Sequence, residues 1–380
     1  MTIKVMIIDD SATVRLVLQK ILNQQKDIEV IGTAVDPLFA REKMVHAWPD
    51  VIVLDIDMPR MDGITFLKQI MSDQPTPVVI YSSYAMEHPD LGVKALAAGA
   101  LAIISKPALG FQDYIQDNNT DLLTAIRTAS MARLSKVNPS KQAPANYGSR
   151  IDTVTPAENN HQFNQQRTGT PKLDADVMLP APGHTASIPI TDKVIAIGTS
   201  TGGTQALESI LPRLTPTCAG IVIVQHMPEK FTASFAQRLN SLCQIEVREA
   251  KHHDLITAGL ALIAPGGKHM LLRRKGQQYF VEVLDGPFVC RHRPSVDVLF
   301  RSVASAAGKN AVGYILTGMG DDGARGIKEM ADSGAMTFAQ DEDSCVVFGM
   351  PKEAIEHGGV QHVINLDDVP ESILRHNKKN

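Results

Sequence analysis

A serine, a histidine and an aspartate each stand where an apolar run gives way to a turn. Val194-Ile195-Ala196-Ile197 leads into Gly198-Thr199-Ser200-Thr201-Gly202-Gly203. This fits a G-x-S-x-G elbow, whose small neighbours let a serine sit exposed on a sharp turn. A second run, Gly220 to Gln225, ends at His226, and a third, Ala311 to Leu316, precedes Thr317-Gly318-Met319-Gly320-Asp321-Asp322-Gly323. A hydroxyl, an imidazole and a carboxylate supply a nucleophile, its general base and the group that orients the base. The competing reading of the glycines is a dinucleotide loop, and two features oppose it. Ser200 occupies the place of the middle glycine that must admit a pyrophosphate, and no acidic residue follows about 20 positions later.

The first half carries different chemistry. Asp9 and Asp10 follow the run Val5 to Ile8, and Asp55 follows Val51 to Leu54. Ser82 and Ser83 follow Val78 to Tyr81, and Lys106 follows Leu101 to Ile104. In a doubly wound sheet these strand ends share one rim, so carboxylates, a hydroxyl and a lysine should converge there. Carboxylates that close repel each other unless a hard cation such as Mg²⁺ joins them. An aspartate beside Mg²⁺, with a lysine and a hydroxyl nearby, can accept a phosphoryl group as an acyl phosphate.

Strands alternating with helices must position both sets. In residues 1–134 five apolar runs, Val30 to Val35 among them, alternate with amphipathic segments such as Val14, Leu18, Ile21 and Leu22. That pattern implies a parallel sheet covered on both faces. Residues 191–380 repeat it, with helices expected over Gln205–Leu214, Glu229–Cys243 and Ser295–Ala306 and strands over Ile245–Arg248 and Leu260–Ala264. Alternation from Met270 to Leu284 around Lys275-Gly276-Gln277 adds an antiparallel hairpin attached to that sheet. The fold class is therefore α/β, with two doubly wound parallel-sheet domains. Between them, residues 135–190 lose all periodicity and are punctuated by Pro139, Pro144, Pro156, Pro171, Pro180, Pro182 and Pro189. This reads as a flexible linker with at most a short ordered approach to the second domain, and without catalytic residues.

The chain's 380 residues, 44% hydrophobic and 21% charged, suit a soluble protein of two ordinary domains. A net charge of −4 gives no electrostatic case for nucleic acid or a membrane surface. Asp9 and Asp10 interrupt the first apolar run, and no apolar segment is long enough for membrane insertion. Cys218, Cys243, Cys290 and Cys345 are scattered, as expected of reduced thiols in a cytoplasmic protein. His252, His253, His269 and His292 lack the spacing of a zinc site. Arg273, Arg291 and Arg293 could hold an anionic substrate but read by default as solvated surface. Met319 suits either a substrate groove or the core.

Two families share these motifs. Asp9-Asp10-Ser11, Leu54-Asp55-Ile56-Asp57-Met58-Pro59-Arg60-Met61-Asp62-Gly63, Tyr81-Ser82-Ser83 and Lys106-Pro107 resemble the response-regulator receiver domain. The resemblance implies that Asp55 is the phosphoacceptor, that Asp9, Asp10 and Asp55 hold Mg²⁺, that Ser82 is the switch hydroxyl and that Lys106 binds the phosphoryl group. It also implies a cis Lys106-Pro107 bond, while Ile103 replaces the rotating aromatic of many relatives. From about Asp192 onward the chain resembles the catalytic domain of chemotaxis protein-glutamate methylesterases. The carrying motifs are Ile197 to Thr204, Gln225-His226-Met227-Pro228, Ala264-Pro265-Gly266-Gly267 and Leu316 to Ala324. That resemblance implies Ser200, His226 and Asp322 as the catalytic set, with no cofactor for the esterase. Thr201, Gly202 and Met319 would form the oxyanion and substrate region, with backbone amides of the glycine turn as donors. Its substrates would be methylated chemoreceptor cytoplasmic helices, with glutamine deamidation as a second activity, and a chemotaxis histidine kinase would be the phosphodonor. The unphosphorylated receiver would obstruct the esterase cleft. Asp321 stands where the family usually has asparagine. A receiver-controlled scaffold without esterase activity would need a missing triad member, and a transcription factor would need a basic reading helix; neither condition is met.

Overall fold

The structure, a computed structural model, describes residues 2–106, 119–134, 152–153, 172–182 and 193–376. Two compact units divide the chain, Met1–Asn146 and Tyr147–Asn380. In the first unit β1 (Ile3–Ile8), β2 (Ile28–Ala34), β3 (Val51–Leu54), β4 (Val78–Tyr81) and β5 (Ala102–Ile104) form a parallel sheet. The strand order is β2-β1-β3-β4-β5. β3 and β4 are buried along their whole length, as strands covered on both faces require. Helices Ala12–Asn23, Pro37–Met44 and Gly63–Asp73 start at side-chain caps from Ser11, Asp36 and Asp62, which satisfy otherwise orphaned N–H groups. Pro107 lies outside the described residues, so the expected cis bond does too; among the described residues the cis peptide is Arg293-Pro294.

The second unit is built on an eight-stranded sheet of order β6-β15-β14-β13-β7-β8-β10-β9. Its strands are β6 (Asp152–Thr153), β7 (Val194–Thr199), β8 (Gly220–Gln225), β9 (Glu246–Glu249), β10 (Leu260–Ile263), β13 (Ala311–Ile315), β14 (Met336–Gln340) and β15 (His362–Ile364). All pair in parallel except β6, which runs antiparallel to β15. The strand order turns back at β7: β8 lies on one side and β13 on the other, a switch point of the kind where ligands bind in open α/β sheets. Strands β11 (His269–Lys275) and β12 (Gln278–Leu284) form the expected hairpin, with Gly276 at φ 63 in its two-residue turn. The hairpin is a separate two-stranded sheet; it joins the domain through packing, with Met270, Leu272, Tyr279 and Val281 in the core beside Leu299 and Val303.

Two parts of the 135–190 stretch depart from a featureless linker, and its remainder lies outside the described residues. Asp152 and Thr153 add the edge strand β6. Residues 172–182 form a strap containing a 3₁₀ turn, Ala175–Val177, and bury Ala175 and Leu179 against Leu271, Val289, Cys290 and Val298.

Candidate active site

β13, β7 and β8 are neighbours, so their carboxyl ends bring three loops together. Ser200 follows β7 and is tied to the next loop by its own N–H, which donates to the Thr317 carbonyl at 3.0 Å. Thr199 Oγ1 donates to the same carbonyl at 2.9 Å. Gln225 Nε2 donates to the carbonyls of Ser200 and His226, each at 3.0 Å, clamping the first two loops. Gly202 turns the chain at φ 79, where a side chain would be strained, and the helix Gly203–Ile210 starts there. Gly318 is equally constrained: a Cβ there would lie 2.7 Å from the Ser200 Cβ. The N–H groups of Thr201, Gly202 and Met319 donate to no acceptor among the described residues. Met319 itself is exposed beside the acidic loop.

His226 and Asp322 are in direct contact, Nε2 to Oδ2 at 2.7 Å. Asp322 is fully buried and accepts further bonds from Ser295 Oγ at 2.8 Å, Val296 N–H at 2.8 Å and Asp297 N–H at 3.0 Å. Burial pushes its pKa up, but the His226 hydrogen bond and the charge-seeking donors outweigh this and hold it below the usual carboxylate range. An ionised carboxylate only accepts, so His226 carries its proton on Nε2 and presents Nδ1 as the basic nitrogen. Nδ1 is buried and makes no hydrogen bond among the described residues.

Asp322 precedes the helix Ala324–Asp332 yet caps the helix Val296–Ala307. Asp297, in the first turn of Val296–Ala307, returns the arrangement by accepting from Gly323 N–H at 3.0 Å and Gly326 N–H at 2.7 Å. The two helices thus exchange caps across the active site. Burial and the nearby Asp322 charge push the Asp297 carboxyl up to about 7, so Asp297 takes a proton before Asp322 does. Cys290 Sγ lies 3.4 Å from Asp297 Oδ2, and burial drives its pKa up, keeping it a thiol.

His292 was not marked by sequence spacing as part of the site, yet its ring stacks on His226 with centroids 3.6 Å apart and planes 4° from parallel. Burial, then repulsion from His226, pushes its pKa down to about 3. Its Nδ1 is 4.0 Å from Asp322. These two histidines and Asp322 lie close enough together for a metal, but a metal lies in the plane of each imidazole it binds, and two stacked planes cannot share one. His269 is a satisfied core histidine: Nε2 donates to Pro287 O at 2.8 Å and Nδ1 accepts from Ser295 N–H at 3.3 Å. Arg273 pairs with Glu282 at 2.7 Å, and Arg293 lies over Phe288. Arg291 is exposed, whereas Arg293 is half-buried and donates to the Gly286 carbonyl at 2.5 Å, so the solvated-surface reading does not hold for Arg293.

In the first unit, Asp9, Asp10 and Asp55 offer carboxylate oxygens within 4.8 Å of one another. Lys106 Nζ reaches Asp9 at 2.8 Å and also bonds Asp55. Burial raises the Asp9 pKa, only partly offset by Lys106. Ser82 is fully buried, and its Oγ has no partner among the described residues. Hard oxygen donors, one cation and one unpaired hydroxyl suit Mg²⁺ and a phosphoryl group.

Fold and sites together define a receiver-linked hydrolase. The family model of the response regulator receiver domain matches residues 5–115, and that of CheB methylesterase matches residues 195–373. Protein-glutamate methylesterase/protein-glutamine glutaminase 1 of Chromobacterium violaceum is 55% identical over 369 residues, covering 97% of this chain and 98% of its own. Protein-glutamate methylesterase/protein-glutamine glutaminase 2 of Pseudomonas syringae pv. tomato is 56% identical over 98% of both chains. The crystal structure of the Thermotoga maritima CheB methylesterase catalytic domain is 36% identical, covers 49% of this chain and 99% of its own, and has a TM-score of 0.47. The chain belongs to the CheB methylesterase family.

Proposed function

We propose that this chain hydrolyses glutamate γ-methyl esters, and deamidates glutamines, on chemoreceptor cytoplasmic helices under the control of phosphorylation at Asp55. The observation that carries the esterase reading is the 2.7 Å His226–Asp322 contact at strand ends flanking Ser200. Ser200 Oγ attacks the ester carbonyl carbon while His226 Nδ1 takes its proton. The resulting oxyanion is met by the unengaged N–H groups of Thr201 and Gly202, with Met319 beside the groove. Collapse of the tetrahedral species breaks the C–O bond, and the proton on Nδ1 leaves with methanol. Water, deprotonated by Nδ1, then attacks the acyl-enzyme, freeing the glutamate carboxylate and restoring the serine. With a glutamine substrate ammonia leaves instead. Asp322 stabilises the transient imidazolium throughout.

In the receiver, Asp9, Asp10 and Asp55 would hold Mg²⁺, which neutralises phosphoryl and carboxylate oxygens when bound. Asp55 accepts the phosphoryl group from a chemotaxis histidine kinase; Lys106 pairs with it and the Ser82 hydroxyl donates to it. No described helix is long and apolar enough to cross a membrane.

Methanol release from methyl-labelled receptor membranes tests the reading. The full chain should release methanol faster with a phosphodonor and Mg²⁺ than without. Ser200→Ala should lose on the order of 10⁴ or more in rate, and Asp55→Ala should lose only the stimulation. Near-normal release by Ser200→Ala would remove it as nucleophile.

A further inference from the structure

The strap of residues 172–182 comes from the stretch between the two domains, yet it is built into the catalytic one. Leu173 O accepts from Cys290 N–H at 2.8 Å. Asp174 pairs with Arg325 at 2.8 Å. Asp176 and the Leu179 carbonyl both bind Arg301, a fully buried arginine whose other partner is Glu329. Arg301 and Arg325 lie on the two cap-exchanging helices. At the head of the strap Lys172 bonds Asp321, the neighbour of Asp322.

We propose that Lys172 is a positioning residue for catalysis: it neutralises Asp321, so that the triad works beside one uncompensated carboxylate rather than two. The proposal rests on the catalytic reading of His226 and Asp322. Its electrostatic surroundings are these. The acid loop carries Asp321 and Asp322, and the helix Val296–Ala307 contributes Asp297, whose carboxyl is pushed up by burial and the Asp322 charge. The preceding loop adds the Cys290 thiol and neutral His292, and β11 adds neutral His269. Glu353, from the helix Met350–Glu356, also feels Asp321. Among the described residues Lys172 is the cation in direct contact with Asp321, and that hydrogen bond outweighs the opposing effect of burial on its charge.

The signs follow from Coulomb's law. Without Lys172, the bare Asp321 carboxylate favours the protonated, inactive form of His226, and the acid limb of kcat/KM moves to higher pH. Without Asp321, the bare Lys172 disfavours that form, and the limb moves to lower pH. For partly exposed charges near the site each shift is roughly half a pH unit and shrinks with added salt. Removing both restores the original profile.

The experiment is a double-mutant cycle in the full chain, following methanol release from methyl-labelled receptor membranes against pH. Histidine ring NMR titration of His226 gives a second readout. Ser200→Ala must be inactive; an active variant sinks the catalytic reading rather than this one. With that control in place, Lys172→Met should shift the limb up, Asp321→Asn should shift it down, and the double variant should match the parent. Lys172→Arg should rescue. Shifts that are absent, of the same sign, or additive in the double variant would overturn the proposal.

Discussion

Asp322 accepts four hydrogen bonds and serves two masters, the His226 imidazole and the start of a helix. Asp322→Asn would turn one acceptor into a donor, facing His226 Nε2–H and Val296 N–H if it replaces Oδ2, or Asp297 N–H and the Ser295 hydroxyl if it replaces Oδ1. The kcat should fall about 10⁴-fold, and unfolding should become easier by about 1–3 kcal/mol from the mispaired buried groups. Kinetics corrected for the folded fraction separate the two losses; unchanged stability would mean that the caps are not shared. Asp297 gives a pH signature. Its folded pKa, about 7, lies above the ordinary carboxyl value of about 3.9. The folded state therefore binds the proton more tightly, and this contribution is full below about pH 4 and lost as pH rises through 7. Asp322, with its lowered pKa, acts in the opposite sense and only in the acid range below the ordinary value. Asp297→Asn keeps an oxygen for the two glycine N–H groups, so it should flatten the decline of catalytic-domain stability between pH 5 and 8. An unaltered decline in denaturant midpoints would assign it to another group.

Elements explain why these residues meet. Three adjacent strands end in the catalytic loops, two of them glycine-rich, and this much was legible, because buried parallel strands write themselves as Val/Ile runs and tight turns as glycines. The strand Val51–Leu54 and the strand Val78–Tyr81 were bounded to the residue. His292 was not legible as a neighbour of His226, since stacking across 66 positions leaves no periodic trace and its loop turns at Cys290 and Arg291 through positive φ. The strap escaped for a related reason. Its apolar residues Ala175 and Leu179 sit among prolines and aspartates, and its partners Arg301 and Arg325 lie more than a hundred residues away. The acidic turn at Asp174 was the available signal. A catalytic fragment beginning at residue 192 lacks the strap and exposes the cluster around Leu271 and Val298. Burial of Leu179 alone is worth about 2 kcal/mol, so this fragment should melt roughly 5 °C below one beginning at residue 170. Equal melting temperatures by circular dichroism would show the strap to be dispensable.

At the scale of the whole molecule, two α/β units each gather their polar groups at strand carboxyl ends, and the link between them is partly built into the second. Regulation can arise only if the phosphorylated and unphosphorylated receivers differ in their interaction with the esterase unit. Obstruction by the unphosphorylated receiver, the reading that the family resemblance implies, makes a simple forecast. The strap-containing fragment, residues 170–380, should release methanol faster than the intact unphosphorylated chain. A fragment no faster than the intact chain would leave direct activation or recruitment as the means of control.

The crossed caps also govern how the enzyme fails when warmed. Asp322 starts one helix and Asp297 the other, so neither helix can fray from its N-terminus without unseating the acid that holds His226. Catalysis and the helical order of the second domain should vanish at one temperature, with no folded but idle form preceding the melt.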